Sequence, residues 1–116
     1  RVSTGFPLSV RVTVMARSNG VCEVCNVRRG DQIHHRRPRG MGGTSRASSN
    51  TAANALHLCA ECHGEIESFR DVGAEMGHIV GQNSDPAGCP VYLALWGWVL
   101  LDEDGGIMPS LWRAGA

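Results

Sequence analysis

The chain has 116 residues, is 42% apolar and 19% charged, and carries 15 glycines with only 5% aromatic residues. That leaves room for one globular domain with a thin core and many turns, and excludes a disordered chain or a second independent core. Formal charge is zero, yet residues 1–50 hold nine Arg against Glu23 and Asp31 (+7), and residues 51–116 hold Arg70 and Arg113 against nine acids (−7). With no Lys anywhere, the basic half reads either as an Arg-built face for a polyanion or as the half that the acidic one neutralises. The apolar runs at 52–58 and 91–101 are interrupted by Asn54, His57 or Gly97 and fall short of the roughly 20 residues a membrane span needs. No run reads as a signal peptide, and since residue 1 is Arg rather than Met, residues are expected upstream of it.

In chain order, Leu8 to Arg17 predicts a short helix, with Leu8, Val10, Val14 and Met15 near helical spacing and Ser18-Asn19-Gly20 as its stop. A turn region over 21–30 holds Cys22-Glu23-Val24-Cys25. Residues 31–35 predict a strand, and 36–50, rich in Arg, Gly and Ser, a long surface loop of the kind that carries function or disorder. Residues 55–58 predict a second strand running into Cys59-Ala60-Glu61-Cys62, and 60–74 has the composition of a helix. Beyond Gly77, Asp85-Pro86 and Pro90 precede strands at 91–95 and 97–101, and Asp104-Gly105-Gly106 makes a turn before Ile107 and Met108. The expected architecture is a single α+β domain over 1–116, with an N-terminal helix, a strand–loop–strand–helix unit over 22–74 and a β-rich extension over 78–116.

Four of the five cysteines form two pairs at the same short spacing, Cys22/Cys25 and Cys59/Cys62. Each pair lets two thiolates converge on one ion, and together they supply the four sulfurs of a tetrahedral structural zinc site. The competing readings are a redox pair or four buried thiols. The 33 residues between Cys25 and Cys59 exceed ordinary finger spacing, so a functional insertion is expected there. Cys89 falls outside the pattern and reads as a buried or free thiol.

Four of the five histidines fall within that stretch or at its edge. His34 and His35, adjacent on a strand, point to opposite faces and can take different tasks, one as a metal ligand and one as a proton acceptor. His63, at the helix start, can meet His34 across strand–helix packing, with Glu67 one turn on along the same face. His34, His63 and Glu67 thus make an open metal site of imidazole and carboxylate, with room for water and phosphate. His57 reads as a strand residue facing solvent or phosphate.

Together, Asp31-Gln32-Ile33-His34-His35-Arg36-Arg37-Pro38, then Gly42-Gly43, then the run from Asn54 through Cys59-Ala60-Glu61-Cys62-His63 resemble the motif of the HNH endonucleases. The resemblance covers roughly residues 22–70. It implies a ββα-metal core of two strands, an Ω-like connecting loop and a helix around one divalent ion, with a four-cysteine zinc site beside it. It further implies His35 as general base, His34 and His63 as metal ligands, and Asn54 as the residue that steadies the loop and so orients the base. Asn54 precedes His63 by nine residues, as in colicin-type HNH DNases. Those enzymes carry a third His where this chain has Glu67, which favours Mg²⁺ or Mn²⁺ as the catalytic ion, with Zn²⁺, Ni²⁺ and Co²⁺ open. The tail is similar to small stand-alone HNH proteins of actinobacterial phages and prophages, which implies a bacterial host cytoplasm and phage packaging partners such as terminase or portal proteins.

The implied reaction is hydrolysis of DNA, double-stranded by expectation, with His35 taking a proton from water and the products ending in 5′-phosphate and 3′-hydroxyl. Arg36, Arg37, Arg39 and Arg46, with Arg28 and Arg29 beside the first Cys pair, are expected to grip phosphates. The alternative is a zinc-stabilised nucleic-acid-binding or packaging-partner module without cleavage. In that case Trp96, Trp98 and Trp112 either anchor an interface or form the small core of the tail.

Overall fold

The computed structural model describes residues 5–38 and 47–110. Pro7 caps the start of α1 (Leu8–Ser18), and Asn19 at φ 56° and Gly20 at φ 80° end it where the sequence places the stop. Val14 is the fully buried residue of this helix, whereas Leu8, Val12 and Met15 remain exposed. The chain reverses through a short hairpin closed by a bridge between Val21 and Arg29.

β1 (Gln32–His35) then pairs antiparallel with β2 (Ala55–Leu58), setting His34 opposite Leu56 and His35 opposite Ala55. All of β2 is buried because its two faces meet different partners. Leu56 and Leu58 join a core with Cys22, Ile66, Val91 and Leu101, while Ala55 joins Phe6, Val14 and Ala52 beneath α1. Two covered faces account for an almost continuous apolar run in place of strict alternation.

α2 (Ala60–Ser68) begins at Cys59, whose sulfur accepts from the Cys62 N–H at 3.3 Å. The helix expected over 60–74 is broken at Phe69 (φ −126°, ψ 64°), and α3 (Arg70–Glu75) follows. Neither Pro nor Gly stands at the break. The N–H groups of His78 and Ile79 both donate to Gly73 O, folding the chain back against α3.

β3 (Val91–Leu93), β4 (Gly97–Leu101) and β5 (Ile107–Pro109) form an antiparallel meander. β3 stops two residues earlier than the sequence predicts because the Trp96 N–H turns back to Leu93 O. Val91, Leu93, Val99 and Leu101 pack against Leu56 and Leu58, so the β-rich extension supplies a large share of the main core. Trp96 is exposed, Trp98 meets Tyr92 edge-on at 5.7 Å, and Trp112 lies outside the described residues. The core contributed by the tail is, among the described residues, aliphatic. Among the described residues no helix is long and apolar enough to cross a membrane.

Candidate metal centres

The two Cys pairs reach one point by different local routes. Cys22 and Cys25 sit on the hairpin, where the Asn26 N–H closes a turn onto Cys22 O at 2.9 Å and Asn26 takes φ 55°. Cys59 and Cys62 sit on the first turn of α2. All four sulfurs lie within 4.8 Å of one another, and Cys25 and Cys59 are 4.0 Å apart. Ligands about 2.3 Å from a tetrahedral ion stand about 3.8 Å from each other, so these four cysteines are close enough together to hold a zinc ion. Burial pushes the Cys22 and Cys62 thiols up, and neighbouring sulfurs add to the rise. Burial also opposes ionisation at Cys25, but the N–H groups of Arg28 and Val27 outweigh it and bring that thiol to about 6. A divalent cation removes the penalty of gathering four thiolates in a buried pocket. Cys89 stands apart and half-buried.

On β1, the strand alternation sends His34 and His35 to different neighbours. His34 is 7% exposed, and its Nε2–H donates to His78 O at 2.9 Å, which leaves the lone pair on Nδ1. Burial lowers its pKa to about 4, so the ring is neutral and suited to ligation near pH 7. The ring of His63 lies 5.5 Å from that of His34, edge to face, and His63 Nε2 is 3.9 Å from Glu67 Oε2 one turn along α2. One donor atom from each of His34, His63 and Glu67 falls within 4.8 Å of the others. They line a cleft of about 380 Å³ together with His35 and Arg70, and Arg70 Nη1 donates to Glu67 Oε1 at 3.0 Å. The structure therefore brings together the three residues read from the sequence as an open site. One buried imidazole, one part-exposed imidazole and a half-exposed carboxylate suit a hard or borderline divalent ion with open positions, unlike the closed sulfur cluster.

Asn54 is fully buried and joins the two ends of the loop that separates β1 from β2. Its Oδ1 accepts from the Arg37 N–H at 2.7 Å, and its Nδ2 donates to Ser49 O at 2.8 Å. One residue past Ser49, Asn50 Oδ1 accepts from His35 Nε2 at 3.2 Å. Phe6 stacks on the His35 ring with centroids 4.1 Å apart and planes at 17°. Sequence reasoning missed Phe6 and Asn50, whose contacts join segments far apart in the chain.

Several expected phosphate contacts require correction. Arg36 is 0% exposed, and its guanidinium is spent on the carbonyls of Gly77, Ala53, Pro86 and Cys89 at 2.8–3.0 Å. Burial lowers its pKa to about 10, which still leaves it charged at neutral pH. Arg37 is 3% exposed and donates to Ser84 O and Ser49 Oγ. Both guanidinium groups are buried and bonded within the protein rather than presented on its surface. Arg17, counted in the basic half, forms a buried two-pronged pair with Glu23 at 2.8 and 2.9 Å. Arg28 and Arg29 stay exposed, and Arg28 lies 3.5 Å from Glu61. Arg39, Arg46, Gly42 and Gly43 lie outside the described residues. His57, read as facing solvent or phosphate, is instead buried, with Nδ1 2.8 Å from Ser18 Oγ. Its ring fills the space where a side chain at Gly30 would be, and burial lowers its pKa. Compared with protein-family models, curated proteins and solved structures, the chain matches none of them.

Proposed function

We propose that the chain is a metal-dependent DNA endonuclease of the HNH type, with β1, β2 and α2 as its ββα-metal core and a structural zinc ion in the four-cysteine cluster. The observation that carries this reading is the convergence of His34, His63 and Glu67 within 4.8 Å on the wall of a cleft that His35 also lines. A bound divalent cation supplies Lewis-acid stabilisation of the charge that develops on the phosphodiester oxygens. His34, His63 and Glu67 hold that ion. His35 takes the proton from the attacking water as its oxygen bonds to phosphorus; the P–O3′ bond breaks, the leaving 3′-oxygen takes a proton from solvent, and the ends are 5′-phosphate and 3′-hydroxyl. With Arg36 and Arg37 committed inside the molecule, phosphate binding among the described residues falls to Arg70 in the cleft and to the exposed Arg28 and Arg29, beside the Arg39 and Arg46 expected from the sequence.

The test is a supercoiled-plasmid assay in Mg²⁺ or Mn²⁺, with EDTA controls and a His35→Ala variant shown to be folded by circular dichroism. Metal-dependent nicking or linearisation that vanishes in the variant is expected. Silence of the wild type with every divalent ion, or equal cutting by the variant, overturns the reading.

A second reading, a zinc-stabilised module that binds nucleic acid or a packaging partner without cleaving DNA, is favoured by the exposed Leu8, Val12 and Met15 on α1. They line an apolar groove that runs past Ile33 to His63. Retention of DNA without cleavage in the same assay, read by gel shift, would favour it.

A further inference from the structure

His35 is held from two directions. Phe6, 4% exposed and fixed among Val14, Ala52 and Ala55, covers one face of the imidazole at 4.1 Å. Asn50 meets the ring edge, with Oδ1 3.2 Å from Nε2. An amide oxygen only accepts, so Nε2 carries the proton and Nδ1 is the basic nitrogen. Asn50 is itself placed: it closes the 3₁₀ turn Ala47–Asn50, and the neighbouring Ser49 O is tied to Asn54 Nδ2 at 2.8 Å. The chain of contacts runs from the buried Asn54 amide through Ser49 and Asn50 to a single nitrogen of His35.

We infer that Asn50 and Phe6 are positioning residues that set the tautomer and the ring plane of His35. The inference rests on the proposed role of His35 as general base. An unrestrained imidazole can flip about its ring bond and exchange tautomers, and either change puts the wrong nitrogen, or a proton, where a base is needed. General-base efficiency depends on having the acceptor nitrogen within hydrogen-bond reach of the water in the correct orientation. The stacked face limits the ring's tilt, and the amide oxygen chooses the nitrogen that keeps the proton. This division of labour is that of an outer-shell partner orienting a reactive histidine.

The clamp is tested with Asn50→Ala, which removes the acceptor, and Asn50→Asp, which keeps an accepting oxygen. Long-range ¹H–¹⁵N correlation spectra of the imidazoles, recorded where histidine is neutral, report the tautomer directly. Wild type and Asn50→Asp are expected to show His35 protonated at Nε2 alone, and Asn50→Ala to show a mixture of tautomers. In plasmid cleavage, Asn50→Ala is expected to lose about 10–100-fold in kcat with KM unchanged, and Asn50→Asp to recover most of that loss. Phe6→Leu, which keeps apolar bulk but not the flat face, is expected to lower kcat while Nε2 stays protonated. A single Nε2–H tautomer in Asn50→Ala overturns the inference, as does an equal loss of kcat in Asn50→Ala and Asn50→Asp. Absence of cleavage by the wild type would remove the nuclease reading, and the tautomer spectra would then decide the clamp alone.

Discussion

The two candidate metal centres share one helix and differ in almost everything else. Cys59 and Cys62 occupy the first turn of α2 and face buried sulfurs, whereas His63 and Glu67 point into an open cleft. A single step along the helix, from Cys62 to His63, turns the side chain by about 100° and moves it from one centre to the other. The difference teaches how one short helix can serve two sites. The buried sulfur cluster sits at the start of the helix, and the part-exposed His63 and Glu67 further along it are placed by that helix together with the His34 ring and Arg70.

That comparison breaks most sharply at Cys59. Cys59→Ser removes one of the four sulfurs and the thiol that caps α2, and structural zinc of this type contributes on the order of 10 kcal/mol to folding. The expected result is loss of cooperative thermal unfolding by circular dichroism, together with loss of the single zinc per chain that elemental analysis should find in wild type. A variant that stays folded without zinc would contradict a structural role for the cluster.

Acid should act next, through His34. Its folded pKa of about 4 lies below the ordinary 6.5 because the ring is buried. Between those values the unfolded chain binds a proton that the folded chain refuses, so this stabilisation is complete above pH 6.5 and is lost as pH falls towards 4. The full interval corresponds to about 3 kcal/mol. Burial lowers His57 and His78 in the same direction. Urea denaturation of the zinc-loaded protein at stepped pH should show the decline, and His34→Gln should show a shallower one. An identical slope in both would mean that His34 is not the group titrating.

The smallest effect on stability and a large one on activity should come from Glu67→Gln. The carboxylate is about half exposed, so unfolding free energy should change by no more than about 0.5 kcal/mol. Plasmid cleavage should fall by about tenfold or more, with a shift in the divalent ion preferred, since a charged hard ligand becomes a neutral one. An unchanged rate and ion preference would leave the open centre with His34 and His63 alone.

Much of this layout was legible in the chain because it is written in short-range spacing. The paired x₂ cysteines, the Asn19-Gly20 stop and the alternation across His34 and His35 each depend on neighbours within a few residues. What stayed hidden depends on distant partners. The sequence shows that Arg36 is charged but not that carbonyls 17 to 53 residues away converge on it. The same holds for the break at Phe69 and for Asn50, an ordinary loop asparagine until His35 is seen beside it. The charge map left two readings open for the same reason, since it does not show that Arg17, Arg36 and Arg37 are bonded inside the molecule.

The amide of Asn54 carries a last consequence. Because it grips the chain at Arg37 and again at Ser49, both boundaries of the intervening loop are anchored by one buried side chain. Because closure entropy rises by only about 0.6 kcal/mol when a loop's length doubles, a change of length between residues 37 and 49 is expected to leave those two boundaries where the Asn54 amide holds them.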